Sequence, residues 1–120
     1  MDAYLQLATL IKAMAHPTRL RILDILARGE ACVCHLTTIL KKRQPYISQH
    51  LMLLREANLV QDRRDGVIIY YRLANAQIAE VLGHLHDAAQ ARTPGIRLPE
   101  IPSSPVVGCP CPKCQEVGGG

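Results

Sequence analysis

The sequence contains neither phenylalanine nor tryptophan, and four tyrosines are its whole aromatic content. Its core must therefore be built from Leu, Ile, Val, Ala and Met, a set that favours helices. No run of 18 or more apolar residues occurs, so no membrane-spanning helix is expected. The first residues, MDAYLQLATLIK, lack a basic region and a small-residue cleavage site, and a cytoplasmic protein is expected. Cysteine is missing between the segments ACVC, with Cys32 and Cys34, and CPCPKC, with Cys109, Cys111 and Cys114. Five thiols in two tight clusters argue against a disulfide framework and for groups that bind or react.

What is present fits one small domain. A chain of 120 residues buries only about two-thirds of the surface its unfolded form exposes, so a partner subunit would help it. The net charge of +4 suits a polyanion but suits a merely soluble protein as well. The distribution of charge has to decide.

Residues 3 to 15 place Tyr4, Leu7, Ala8, Ile11 and Met14 at helical spacing, and Pro17 ends that element or opens the next. A second helix runs to a stop at Gly29, and a third is expected over Glu30 to Lys42 with Leu36, Ile39 and Leu40 inward. Pro45 reads as the first-turn proline of a fourth helix through Ala57, with Ile47, Leu51 and Leu54 as its buried stripe. LVQDRR and VIIYYRL are strand candidates joined by Asp65 and Gly66, the pair a type I′ hairpin turn prefers. Helical period returns after a cap at Asn75, with Ile78, Leu82, Leu85 and Ala89 on one face to about Arg92. Beyond Thr93 lie six of the eight prolines and five of the eight glycines, so the expected division is a domain over 1–92 and an extended, flexible tail over 93–120. Four helices, a hairpin and a helix describe a mainly α winged helix-turn-helix with a β-hairpin wing. The first and last helices have apolar stripes and little core left to cover them, which implies a homodimer built through both.

KKRQPYISQHLMLLREANLV is the most informative run. Gln44, Tyr46, Ser48 and Gln49 face outward on its helix, after Lys41, Lys42 and Arg43. Gln can pair with an adenine edge, Ser can bond to bases or phosphates, and the cations can neutralise phosphates. Alone, these would pass as the solvated face of an amphipathic helix. Arg63 and Arg64 beside the hairpin turn add positive charge where a wing meets a duplex. His50 fits either a packed histidine or a base contact, and Arg55 either a phosphate ligand or an ion-pair partner.

HPTRLRIL, ACVCHL, QPYISQHLMLLREANLV and RRDGVIIYYRL, in that order over roughly residues 4 to 90, resemble the ArsR/SmtB family of metal-responsive bacterial repressors. The resemblance implies a homodimeric winged helix-turn-helix on double-stranded DNA, at an imperfect inverted-repeat operator, that leaves when an inducer binds. It also implies that Tyr46, Ser48, Gln49 and His50 stand at base-contact positions in the major groove, although many relatives carry a small residue in the place of Tyr46. EACVCHL matches the family's thiolate-sensing ELCVCDL, with His35 in place of an aspartate. Cys32 and Cys34 are then ligands for As(III) or Sb(III), or for Cd(II) or Pb(II), with no organic cofactor.

Thiols at a helix N-terminus favour the thiolate. Two residues apart on a regular helix, however, Cys32 and Cys34 would lie about 200° apart and could not share an ion unless the first turn opened. Cys109, Cys111 and Cys114 are the expected additional metal ligands: three thiolates suit arsenic or antimony, and four suit cadmium, lead or zinc. Asn75, Gln77, Ala88 and Ala91 occupy the places of the zinc ligands found in other relatives and make no credible zinc set. His84, His86 and Asp87 read as surface or interface residues. CPKC has the spacing of thiol oxidoreductases but lies in a glycine-ended tail, so no enzyme is expected. The serious rival is a redox-sensing repressor of the same fold, using a disulfide between Cys32 or Cys34 and the tail.

Overall fold

A computed structural model describes residues 2–98 and 101. The elements are α1 (Ala3–Met14), α2 (Pro17–Ala27), β1 (Ala31–Cys32), α3 (Val33–Leu40), α4 (Gln44–Glu56), β2 (Val60–Asp65), β3 (Ile68–Leu73) and α5 (Ala76–Arg92). Side chains cap α1, α2 and α5. Asp2 accepts from the Tyr4 amide, His16 Nδ1 from Thr18, and Asn75 from Ile78, each satisfying an amide that a helix start leaves open.

The core is aliphatic, as the composition requires. Ile22, Leu23, Leu36, Ile47, Leu51 and Leu54 are fully buried in one cluster drawn from α2, α3 and α4. Ile78 and Leu82 of α5 join it, whereas α1 contributes only Met14 among its buried residues. No helix among the described residues is long and apolar enough to cross a membrane.

Two local expectations are corrected. The segment Glu30 to Lys42 is not one helix: Gly29, at φ +151°, turns the chain out of α2 in a conformation that side chains resist. Ala31 and Cys32 then pair antiparallel with Tyr71 and Tyr70 of β3. Only at Val33 does α3 begin, and it stops at Lys41, which adopts left-handed geometry. The hairpin loop is Gly66 and Val67, not Asp65 and Gly66, because Asp65 pairs with Ile68. Gly66 has positive φ and Val67 does not, the sign pattern of a type II′ turn. This register sets Val60 opposite Leu73 and Arg63 opposite Tyr70.

The sheet order is β1-β3-β2. One face carries Ala31, Val60, Tyr71 and Leu73 into the main core. The other holds a small separate cluster in which Cys32 and Tyr70 are buried, with Cys34, Ile39 and Ile68 packed on them. α4 and the hairpin are joined by a tight stop. Asn58 takes φ +60°, and the amides of Asn58 and Leu59 return to the carbonyls of Arg55 and Leu54, a Schellman closure that leads directly into β2.

Candidate nucleic-acid interface and thiol site

On α4, Gln44 and Gln49 are exposed and Ser48 is half-buried. Lys41, Lys42 and Arg43 are exposed just ahead of the helix, and Arg64 is exposed on the wing. Together they form a polar, cationic edge that could bond to base edges and neutralise phosphates.

Tyr46 stays 37% exposed but leans on α2, whereas His50 belongs to the inner side of this surface. The Tyr46 hydroxyl lies 3.0 Å from Thr18 Oγ1 on α2, and its ring meets His50 edge-on at 4.6 Å. His50 is buried, meets the His16 ring at 4.4 Å with the planes tilted by 42°, and sets Nδ1 3.3 Å from an Arg19 amino nitrogen. Arg19 also donates through Nε to the Ala13 carbonyl at 2.6 Å, so one side chain ties the end of α1, α2 and α4 together. Burial pushes the His50 pKa down, and the charges of His16 and Arg19 push it the same way. A neutral His50 accepting from Arg19 satisfies all of this. Arg55 is an ion-pair partner, 3.3 Å from Asp62 with both side chains largely exposed.

Arg63 is engaged as well. Its guanidinium donates to both Glu30 carboxylate oxygens, at 3.1 and 2.5 Å, and lies over the Tyr70 ring at 4.7 Å. No periodicity in the sequence signals this contact, because Glu30 and Arg63 are 33 residues apart.

The thiol geometry departs from the helical expectation. Cys32 is extended and caps α3, accepting the His35 amide on Sγ at 3.3 Å. Since Cys32 lies outside the helix, the angular separation of helical residues does not apply to it. Its sulfur faces that of Cys34, the pair is joined as a disulfide, and the Cα atoms are 5.4 Å apart. Cys109, Cys111 and Cys114 lie outside the described residues. On α5, His86 Nε2 is 3.1 Å from Asp24 on α2, whose carboxyl burial pushes up in pKa, while Asn75 serves as the cap.

A cleft of about 300 Å³ opens beside the thiols. Cys32, Cys34 and Thr37 line one side of it, Gln44 at the start of α4 another, and Val67 and Ile69 of the hairpin a third. The two cysteines, the start of α4 and the hairpin thus share one small volume.

The family model described as bacterial regulatory protein, arsR family, matches residues 16–62. A Synechocystis sp. protein named a transcriptional repressor SmtB homolog is 38% identical over 92 residues, which is 73% of this chain and 70% of that protein. The chain belongs to the arsR family. Another relative of this arsR-family protein, the arsenical resistance operon repressor of Escherichia coli, is 50% identical over 66 residues, 54% of this chain and 56% of that one. The solution structure of a homodimeric winged helix-turn-helix DNA-binding domain from Mycobacterium bovis matches with a TM-score of 0.71 and 31% identity, over 81% of this chain and 90% of that one. An arsR-family repressor with this winged helix-turn-helix fold is a DNA-binding transcriptional regulator and not an enzyme.

Proposed function

We propose that this arsR-family protein acts as a homodimer that holds a duplex operator through α4 and the wing and releases it when Cys32 and Cys34 bind a thiophilic metal or metalloid ion. Gln44, Ser48 and Gln49 read base edges, and Lys41, Lys42, Arg43 and Arg64 hold phosphates. Tyr46 and His50 support them from beneath. The observation that carries this reading is the shared cleft, because an ion on the two sulfurs would sit against both elements that meet DNA. The E. coli relative's name, arsenical resistance operon repressor, points to the same class of inducer.

The donor set fits a soft ion in part. Two apposed thiolates supply two ligands, and a three-coordinate site for As(III) or Sb(III), or a four-coordinate one for Cd(II) or Pb(II), needs more. Cys109, Cys111 and Cys114 are the donors that the sequence offers. Ile101 packs on the main core, and the eight residues from there to Cys109 can span up to about 28 Å. The domain over 1–92 would then do the reading while the tail over 93–120 completes the site.

The test is a titration of reduced protein with arsenite and with cadmium, following thiolate-to-metal absorbance and operator binding in parallel. The band should vanish in Cys32→Ser, weaken in Cys111→Ser, and saturate together with operator release in the unaltered protein. A band that persists in Cys32→Ser would refute the assignment. The Cys32–Cys34 apposition also favours a second reading, in which an oxidant such as peroxide takes two electrons and two protons from the dithiol as the sulfurs join. In that case peroxide releases the operator, reductant restores binding, and arsenite under reductant leaves the operator bound.

A further inference from the structure

The small cluster on the outer sheet face closes into a ring of contacts. Glu30 stands two residues before Cys32, and Cys32 pairs across β1 and β3 with Tyr70. Tyr70 pairs across β3 and β2 with Arg63, whose guanidinium covers its ring. Arg63 then reaches back through two hydrogen bonds to the Glu30 carboxylate. Directly opposed strand residues share a face, so Cys32, Tyr70 and Arg63 lie in one row across the sheet. The Glu30 side chain is only 18% exposed, against 49% for Arg63, so the carboxylate end of the pair is the sheltered one.

We infer that Arg63 is a positioning residue and not a phosphate contact: with Glu30 and Tyr70 it latches the wing to the Cys32 segment and carries the state of the thiols to the wing. This rests on the function proposed above and names the route by which that site acts. A rigid ion turning the Cys32 sulfur toward additional ligands must move a residue whose backbone is half of β1. The Tyr70 ring packed on Cys32 shifts with it, and the two-bond geometry of Arg63 on Glu30, which a guanidinium fork demands, cannot survive a displacement of both its anchors. The wing is then freed from the orientation that suits the groove. Arg64, on the opposite sheet face, keeps its charge available throughout.

The test uses Glu30→Gln and Arg63→Lys in the full-length reduced protein, with arsenite as the probe. Lysine keeps the charge a phosphate contact needs but lacks the planar fork. Operator affinity is measured by anisotropy with and without saturating arsenite at several salt concentrations, and arsenite binding by its charge-transfer band. Both variants should bind arsenite within about threefold of the unaltered protein, but bind operator about 5- to 150-fold more weakly even without it, because the wing is already unlatched, with the same salt slope. The arsenite-induced loss of operator affinity, about 5- to 150-fold for a typical coupling, should shrink to within about threefold of none in both. Release that remains intact in both variants overturns the latch. So does an Arg63→Gln variant that lowers the salt slope by about one while Glu30→Gln releases normally, since that marks a phosphate contact. If the unaltered protein binds operator and ignores arsenite, the proposed function itself falls and takes the latch with it.

Discussion

Helices α1 and α4 are nearly equal in length, at 12 and 13 residues, and both carry apolar residues at helical spacing. α4 buries Ile47, His50, Leu51 and Leu54 inside the protomer, whereas α1 buries only Met14 and leaves Tyr4, Leu5, Leu7 and Ile11 more than half exposed. The same pattern is thus satisfied in two ways. α4 is held by its own chain, so its outer face is free to meet a ligand. α1 has a stripe that the described residues leave exposed, and α5 adds Val81 and Leu85, 45% and 47% exposed. A second copy is the natural cover, and the homodimeric neighbour from M. bovis has the same fold.

Removing the buried stripe of α4 should have the largest effect. Leu51→Ala is expected to lower stability by about 2–5 kcal/mol, because the fully buried site cannot collapse around the lost atoms. Urea unfolding reads this directly. Leu7→Ala, measured where the protein is monomeric, should stay within about 0.5 kcal/mol, and an equal loss at both positions would break the contrast between the helices.

A charge on the α1 stripe comes next. Ile11→Asp should weaken self-association by about 30-fold or more while the helical circular dichroism is kept. Sedimentation against concentration checks it, and an unchanged dimer would place the interface elsewhere.

The smallest effect sharpens what is peculiar to α4, a titratable ring in its buried stripe. His50 has a folded-state pKa below its ordinary 6.5, chiefly through burial. Between the two values the unfolded chain binds more protons, so stability rises with pH there. The contribution is complete above 6.5 and is lost as pH falls below it. The urea midpoint should therefore drop more on acidification in the unaltered protein than in His50→Gln, and parallel curves would remove His50 as the source.

Long periodic elements were legible from the sequence. The bounds of α1, α2, α4 and α5 differ from expectation by only a residue or two, and Asn75 caps α5 as its residue type suggests. β1 was not legible, because two residues carry no period and their strand conformation comes from pairing with β3, about 40 residues on. Leu36, Ile39 and Leu40 carry a true helical signal, but it does not say where the helix starts. The turn was misread because Asp65–Gly66 is the stronger local signal, while the register is set by Val60 meeting Leu73 and Arg63 meeting Tyr70. The outward residues of α4 were visible by their type. That Tyr46 leans on Thr18 and His50 on Arg19 was not, since those contacts cross from one helix to another.

The brevity of β1 bears on time. Its ladder consists of two residue pairs at one margin of the sheet, and such short pairings open locally without unfolding of the rest. Opening of this kind takes on the order of microseconds to seconds, brief against the lifetime of a tight protein–DNA complex. Under the function proposed above, the fold itself would then add little delay to the response.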